Sequence, residues 1–332
     1  MHALASNLRW LCTKTTNISL ILGLMFVFTG CNNDDEYIPP TSYSTNQNGN
    51  AQVVGTTPVT NSNGRIVNCG SVRAVTEGTT DLQQAACRLE IPRLKGGEQN
   101  LFIVHTVPTY GINYAMEYNC TLRSQWWSAY RWDRTNSSKS VSRTDAWLPD
   151  PLIPQEYQTD QSDYSGTGYT RGHIMASEDR VYSRQANEQT FYYSNMQPQL
   201  YNFNTQGIWW NIENLLIRSQ YNTNAFRDTL YVVKGGTIRQ GEYTTTAKRL
   251  PVPKYFFMAL LRKRNDIQVN GGYAAVGFWM EHKDNNDANY KAYARSIDEL
   301  EDLTGLDFFC NLPDDIERTV EASYSTTVWK LQ

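Results

Sequence analysis

Histidine and cysteine are both scarce in this sequence. The 332 residues include 4 histidines and 6 cysteines. No two cysteines have CxxC spacing, and no cysteine lies near a histidine at a spacing typical of a zinc site. The sequence therefore does not predict a structural zinc centre.

Long apolar runs are also lacking, with one exception near the N-terminus. Residues 18–28 are largely apolar, follow Arg9 and Lys14, and lead into the small residues Thr29 and Gly30. The run is too short to span a bilayer comfortably, and its charged, apolar and small-residue zones are those of an export signal.

Cys31 directly follows the two small residues. This arrangement resembles the lipobox of bacterial lipoproteins, in which Cys31 would be acylated and become the mature N-terminus, although Phe28 departs mildly from the usual aliphatic residue. An ordinary secretory peptide and a single-span anchor are the alternatives. We expect an exported protein, lipid-anchored to a bacterial membrane on its periplasmic or cell-surface side. The acidic residues 34–36 are either a surface-export signal or a solvated charge run.

Composition predicts three parts. Residues 1–31 are the lipoprotein signal peptide, and residues 32–64, rich in Asn, Thr, Ser and Gly, are a flexible tether with little to bury. Residues 65–332 form one domain, because no second linker interrupts them. Its length and apolar content are sufficient for a well-buried core.

Four cysteines remain after residue 31. An even number in an exported chain is typical of two disulfides. Of the three possible pairings, the short loop that it closes favours Cys69 with Cys87, and hence Cys120 with Cys310.

Strand-like and helical patterns alternate through the domain. Short runs rich in β-branched and aromatic residues predict strands at 101–107, 114–118, 126–130, 230–233, 255–261 and 273–280. Ile208, Trp209, Ile212, Leu215 and Leu216 have the spacing of one helix face, and Ser296 precedes an acidic helical turn that Gly305 ends. These patterns predict an α+β fold with a mixed or antiparallel central sheet.

His173 is the histidine with the most distinctive surroundings. It ends the polar segment Thr170-Arg171-Gly172-His173, whereas His105 and His282 lie in or beside apolar strands and are expected to be structural or surface residues. Histidine is the natural general base near neutral pH, and Arg171, two residues earlier in an extended segment, would project to the same face. Such a pair suits phosphodiester hydrolysis, which needs a base and positive charge.

A second polar segment follows His173. It runs from Ser194-Asn195-Met196-Gln197-Pro198-Gln199 to Asn204 and on to Glu213. Together the two segments resemble the DNA/RNA non-specific endonuclease family, of endonuclease G-like type, with its DRGH motif, SNxxPQ segment and N…W…E helix. Residues 168–218 match almost continuously, and weaker similarity extends over the rest of the domain.

The resemblance implies roles for individual residues. His173 matches the general base, Asn204 the sole protein ligand of one Mg²⁺, and Glu213 the acid that holds the waters of that metal. Arg171 matches the motif arginine, for phosphate or structural support. The implied fold is a ββα-metal (His-Me finger) motif on a larger mixed sheet. Because protonated histidine cannot act as a base, cleavage should slow at acid pH.

Two features depart from the family pattern. Thr170 occupies the position of the motif aspartate. The family places its asparagine eight residues before its glutamate, but Asn204 is nine residues before Glu213. On a regular helix, at about 100° per residue, nine steps would place the two side chains on opposite sides. We therefore infer one extra residue near 205–206, absorbed before a helix that begins at about Gly207; Thr205 and Asn202 are the other ligand candidates.

The charges are distributed unevenly along the chain. The formal net charge is −3, and removing the signal makes it −5, which argues against nucleic-acid binding through net charge alone. Residues 214–265 nevertheless sum to +8 and residues 281–321 to −8. This polarity predicts a basic face for a phosphate backbone and an acidic back, or else only solvated loop charges.

The sequence thus predicts a lipid-anchored, Mg²⁺-dependent endonuclease that cuts DNA and RNA and leaves 5′-phosphates. The alternatives are a catalytically silent nucleic-acid-binding lipoprotein of the same fold and a phosphodiesterase for small substrates. The sequence leaves the oligomeric state open.

Overall fold

A computed structural model describes residues 46–62 and 64–331. The predicted signal, the acidic residues 34–36 and Cys31 lie outside the described residues. Within the described part of the chain, no helix has both the length and the apolar character needed to cross a membrane.

Fifteen strands are described in residues 46–331. They are β1 (Thr60–Ser62), β2 (Val67–Cys69), β3 (Val72–Thr76), β4 (Thr79–Asp81), β5 (Asn100–Val107), β6 (Gly111–Asn119), β7 (Ser124–Trp132), β8 (Thr170–His173), β9 (Met196–Gln199), β10 (Thr229–Gly236), β11 (Tyr243–Thr245), β12 (Pro251–Pro253), β13 (Tyr255–Lys263), β14 (Tyr273–Glu281) and β15 (Ala294–Arg295).

The helices are short and separated by loops. The α-helices are α1 (Ala51–Val54), α2 (Leu82–Ala86), α3 (Gln161–Tyr164), α4 (Arg184–Gln189), α5 (Tyr201–Thr205), α6 (Ile208–Asn211), α7 (Ile297–Thr304) and α8 (Asp314–Glu321). A π-helix (Ile212–Tyr221) continues directly from α6. Single 3₁₀ turns cover Gln155–Tyr157, Ser177–Arg180, Tyr193–Asn195, Val269–Gly272 and Tyr290–Tyr293.

A nine-stranded sheet forms the centre of the protein. Its strand order is β15-β14-β13-β10-β7-β6-β5-β3-β2, and neighbouring strands are antiparallel except for the parallel pair β3 and β5. Each strand that the sequence predicts at 101–107, 114–118, 126–130, 230–233, 255–261 and 273–280 lies in this sheet. The predicted α+β fold with a mixed central sheet is confirmed.

The two faces of the sheet bury separate cores because successive side chains of a strand point in opposite directions. On β5, Leu101 and Ile103 pack with Ile174 and Trp209 in one core. The intervening residues of that strand pack in the other core, with Leu300 and its neighbours on α7. The segment that carries His173 and the helix α7 therefore cover opposite faces of the sheet.

Part of the predicted tether belongs to the folded domain. Asn50 is fully buried, and its amide donates to the carbonyl oxygens of Ala86, Ile91 and Pro92. Val54 at the end of α1 is also buried. Residues 46–54 thus pack on the domain, because a buried amide that satisfies several carbonyls compensates for their low apolar content.

The preferred disulfide pairing is wrong. Cys69, Cys120 and Cys310 are buried free thiols, so neither Cys69 with Cys87 nor Cys120 with Cys310 forms a bridge. The Cys69 thiol donates to the Val54 carbonyl at 3.3 Å, and burial raises its pKa to about 11. These cysteines act as small core residues, and counting cysteines could not distinguish that use from pairing.

Candidate active site

The segment around His173 folds as two strands followed by a helix. β8 pairs antiparallel with β9, with His173 opposite Met196. α5, α6 and the π-helix come next in the chain. Gly172 permits the close packing of the two strands, because a Cβ at this position would lie 2.2 Å from Cδ of Gln199.

Arg171 and His173 lie on the same face of β8, as the sequence predicts. Both contact Trp147: the guanidinium carbon of Arg171 is 3.8 Å from the centre of its ring, and the His173 ring meets it edge-on at 5.3 Å. Phe191 contacts His173 from another direction, with ring centres 5.1 Å apart. These aromatic rings fix the orientation of the imidazole.

His173 is held in its neutral form. Burial, together with the positive charges of Arg143 and Arg171, lowers the pKa of His173 to about 3. Its Nε2 is shielded from solvent and has no hydrogen-bond partner. The unpartnered nitrogen has a lone pair that can accept a proton. A pKa this low makes the imidazole a weak base until a bound anion offsets the charges of the two arginines.

Arg143 is a site residue that the sequence reasoning missed. Its guanidinium carbon is 4.6 Å from the centre of the Phe191 ring, and its Nη1 donates to the Ser177 hydroxyl at 2.9 Å. Its Nε donates to Asp145 at 2.8 Å. Arg143 is 30 residues before His173 in a loop, so periodicity could not link them; the only local signal is its place two residues before Asp145.

Asn204 lies on α5 beside Thr170. The Thr170 hydroxyl donates its proton to the carbonyl oxygen of Gln199 at 2.9 Å. The hydroxyl oxygen can then only accept, and it accepts a hydrogen bond from Nδ2 of Asn204 at 3.1 Å. The amide is therefore oriented with its nitrogen towards β8 and its Oδ1 away from Thr170. Thr170 thus supplies an acceptor where the family motif has a carboxylate.

A break between two helices lies between Asn204 and Glu213, where their nine-residue spacing requires one. α5 ends at Thr205, Gln206 has φ −156° and ψ 0°, and α6 begins at Ile208. Gly207 fills this junction tightly, because a Cβ there would lie 2.7 Å from the Asn285 carbonyl oxygen. No regular helix connects residues 204 and 213. The nine-residue spacing therefore does not force the side chains of Asn204 and Glu213 to opposite sides of one helix.

The two other ligand candidates have different partners. Asn202 donates to Asp284 at 3.2 Å and accepts from Gln206 at 2.8 Å. The Thr205 hydroxyl donates to the backbone carbonyl of Tyr201 at 2.9 Å. Among the described residues, Oδ1 of Asn202 already accepts a hydrogen bond, whereas Oδ1 of Asn204 accepts none.

Glu213 belongs to a buried network of charges. Its Oε1 accepts from Lys234 at 2.8 Å, and Lys234 also contacts Asp179 at 3.3 Å. Arg218 pairs with Asp179 at 2.8 Å, and the Tyr130 hydroxyl donates to the same carboxylate. Burial raises the pKa of Glu213, whereas Lys234 opposes that shift. The sequence reasoning predicted neither Asp179 nor Lys234 here, although Asp179 follows His173 by only six residues.

The remaining histidines of the domain are structural, as expected. His105 is fully buried between Glu77 and Asp150, at 2.8 and 3.1 Å, and these charges raise its pKa to about 10 against the effect of burial. His282 accepts from the backbone N–H of Leu200 at 2.8 Å, which fixes the start of α5.

The predicted site residues come together only in part. Arg171 and His173 share one face of β8, and Asn204 contacts the strand at Thr170. Among the described residues, no direct hydrogen bond joins His173, Asn204 and Glu213 to one another. Both polar atoms of the Gln199 amide are buried without partners.

An open cavity of about 560 Å³ adjoins the Arg171 side of the site. Trp147, Tyr193, Gln161 and Lys248 are among the residues that line it. Arg171 donates to Gln161 at 2.6 Å at its edge. Aromatic surfaces beside basic side chains are typical of single-strand nucleic-acid binding.

The fold and the site together define a nuclease of the ββα type. The sequence model of the DNA/RNA non-specific endonuclease family matches residues 100–315. The chain belongs to this family. The family and its relatives indicate nuclease activity on nucleic acids.

Individual relatives cover the domain to different extents. The chain is 32% identical over 218 residues to a nuclease from Nostoc sp., which covers 63% of this chain and 75% of that protein. It is 29% identical over 222 residues to the mitochondrial nuclease EXOG of Xenopus laevis, covering 61% of this chain but only 58% of the relative. A crystal structure of EndoG with EndoGI has a TM-score of 0.52 at 22% identity, covering 60% of this chain and 84% of that chain. That structure shows the shared fold.

Proposed function

We propose that this protein is a Mg²⁺-dependent endonuclease that hydrolyses phosphodiester bonds of DNA and RNA without sugar specificity and leaves 5′-phosphates. The observation that carries the proposal is a neutral His173, with an unpartnered Nε2, between two arginines. A base and two cations at one place match what hydrolysis of an anionic ester requires.

His173 acts as the general base in this proposal. Its Nε2 takes a proton from the attacking water, whose oxygen forms the new bond to phosphorus. The P–O3′ bond breaks, and its electron pair goes to the leaving 3′ oxygen. Trp147 and Phe191 hold the ring in place, which lowers the entropic cost of reaching the reactive geometry.

Arg143 and Arg171 bind the phosphate that is cut. Their guanidinium groups pack on Phe191 and Trp147, the two rings that also contact His173. Arginine presents several donors in a planar fork that matches phosphate oxygens. The cavity beside Arg171 would take the adjoining nucleotides, with bases against Trp147 and Tyr193.

The donor set fits a single hydrated Mg²⁺. Asn204 would hold it through Oδ1, which the bond to Thr170 leaves turned away from β8. Magnesium retains most of its waters, so one amide oxygen is a sufficient protein ligand. When bound, the ion supplies positive charge for the phosphate and the leaving oxygen. Glu213, fixed by Lys234, would accept hydrogen bonds from the waters of the metal.

A matched pair of asparagine variants tests the metal ligand. Purified full-length protein is incubated with plasmid or RNA, in Mg²⁺ or EDTA, as wild type, Asn204→Ala and Asn202→Ala. We expect Mg²⁺-dependent cutting of both substrates, at least about 100-fold weaker in Asn204→Ala and little changed in Asn202→Ala. Equal loss in both variants, or cutting in EDTA, would refute the assignment.

The second candidate is a catalytically silent protein that binds nucleic acid. Two observations favour it: Thr170 replaces the motif carboxylate, and Glu213 is neutralised by Lys234. The same assay separates the two functions, because a silent protein would retard plasmid and RNA on a gel in Mg²⁺ without cutting either.

We also propose that Cys31 is acylated and anchors the exported protein to a bacterial membrane, on the basis of the residues before it. Cys31→Ser should move the protein from the membrane fraction to the soluble fraction of cells. An unchanged membrane fraction would contradict acylation at this residue.

A further inference from the structure

An acidic pocket lies on the face of the sheet opposite the core that packs against the His173 segment. It has a volume of about 430 Å³, and its described lining includes six carboxylates and a single base, Arg318. The carboxylates are Asp298, Glu301, Asp307, Asp314, Glu317 and Glu321. They come from α7, α8 and the loop between these helices.

Three of these carboxylates converge. One oxygen each from Asp298, Glu301 and Glu321 lies within 4.8 Å of the other two. Two oxygens bound to the same Ca²⁺, each at about 2.4 Å, are at most about 4.8 Å apart. Asp298 and Glu301 are three residues apart on one face of α7, and Glu321 faces them from the last turn of α8. The spacing is therefore compatible with one shared cation.

Glu321 provides an independent sign of a missing partner. The residue is only 5% exposed, and its Oε1 is buried with no hydrogen-bond donor. It also lies at the C-terminal end of α8, where the helix dipole disfavours a negative charge and favours a cation. A buried carboxylate oxygen without a donor is costly unless an ion or another donor satisfies it.

The outer carboxylates are better satisfied than the inner ones. The backbone N–H of Gln47 donates to Asp314 at 2.9 Å, and the Asn48 amide donates to Glu317 at 2.8 Å. In the inner group, the Phe308 N–H reaches Glu301 at 2.6 Å. No lysine or arginine of the described residues forms an ion pair with Asp298, Glu301 or Glu321.

We propose that Asp298, Glu301 and Glu321 bind a divalent cation of the Ca²⁺ type, which joins α7 to α8 at a site separate from the nuclease centre. Carboxylate oxygens with room for several waters are the ligands that Ca²⁺ prefers, and its coordination geometry is tolerant. The cation would compensate the pocket's negative charge and stabilise the folded state by binding it selectively.

Thermal unfolding of full-length protein tests the site. Asn204→Ala serves as the background, because it removes the proposed ligand of the nuclease centre. We expect millimolar Ca²⁺ to raise its Tm by several degrees, and more than Mg²⁺ does. Adding Asp298→Asn or Glu321→Gln should abolish the shift, whereas the matched change Asp302→Asn, an exposed acid on the same helix, should leave it intact.

In EDTA, Glu321→Gln should be at least as stable as the background, because it removes one of several crowded like charges. A Ca²⁺ shift that persists in Asp298→Asn and Glu321→Gln, no shift in the background, or a larger shift with Mg²⁺ would overturn the proposal. If Glu321→Gln does not fold, calorimetric titration of Asp298→Asn with Ca²⁺ decides, and retained one-site binding there contradicts the assignment.

Discussion

Thr170 shows how a single hydroxyl can replace part of the function of a carboxylate. The hydroxyl donates its proton to the Gln199 carbonyl oxygen, so the hydroxyl oxygen accepts a hydrogen bond from Asn204. A carboxylate would also add negative charge near the proposed metal site, which threonine does not. The orientation of the asparagine is therefore maintained, while electrostatic attraction for the cation is reduced.

The low pKa of His173 predicts an unusual pH dependence. In the free protein, burial and then the charges of the two arginines lower the pKa of His173, so the imidazole stays neutral to about pH 3. A bound phosphate would offset the arginine charges and raise the pKa of His173. We therefore expect the acid limb of kcat/KM, which reports the free enzyme, to lie well below pH 6.5, and that of kcat to lie at higher pH.

Steady-state cleavage of a fluorescent oligonucleotide between pH 4 and 8 locates the acid limb of kcat. It also shows whether kcat/KM is still undiminished at pH values at which an ordinary histidine is protonated. Half-maximal kcat/KM near pH 6.5, or two coincident limbs, would contradict this account.

The stability of the fold should also depend on pH through His173. In the unfolded protein His173 binds a proton near pH 6.5, whereas in the folded protein it does not bind one until about pH 3. The unfolded state then binds more protons, so the contribution of His173 to stability falls as pH decreases through that window.

At the scale of single residues, the sequence could propose the motif residues but not the residues that contact them. His173, Asn204 and Glu213 could be proposed because the family motifs occur in the same order in this chain, with one extra residue between Asn204 and Glu213. Arg143 and Trp147 approach His173 from a loop with no periodicity, so only the tertiary structure links them. The disulfide prediction failed for a similar reason, because cysteine number says nothing about which thiols the core separates.

At the scale of elements, the junction between α5 and α6 positions Asn204, the proposed metal ligand. The sequence predicts a helix start near Gly207 and an apolar face continuing from Ile208, and the structure has α6 there. Beyond Ile212 the helix changes to π-type bonding, which alters the angle per residue. Leu215 is consequently 42% exposed although the 3.6-residue period places it on the buried face.

Lys234 connects the central sheet to the helix that carries Glu213. It is fully buried on β10 and contacts Glu213 and Asp179. Removing its charge would leave two buried carboxylates with Arg218 as the only remaining cation among their described partners. We expect Lys234→Met to lower the free energy of unfolding by about 3–5 kcal/mol, measured by urea denaturation.

Lys283→Met is the matched control, since Lys283 and its partner Glu281 are both exposed. Such a surface pair contributes about 0–1 kcal/mol, so this variant should be nearly as stable as wild type. Equal effects of the two substitutions would show that the buried network is not a stabilising link between β10 and the helix.

At the scale of the whole molecule, the sheet separates two chemical environments. One core lies beneath β8 and α6, and the other lies beneath α7, near the acidic pocket. The sequence places the six carboxylates of the acidic pocket in its negative stretch, residues 281–321. It overestimates the basic surface, however, because Arg218, Arg227 and Lys234 are used in internal contacts. The architecture itself was predictable because the long strands have strong β-forming composition.

The central claim is that His173 is the base of a metal-dependent nuclease, and initial rates of plasmid nicking in Mg²⁺ test it most directly. His173→Ala should cut about 100- to 10,000-fold more slowly than wild type, while retaining the circular dichroism spectrum and plasmid binding of the wild type. Nicking by a folded His173→Ala protein at the wild-type rate would contradict the claim.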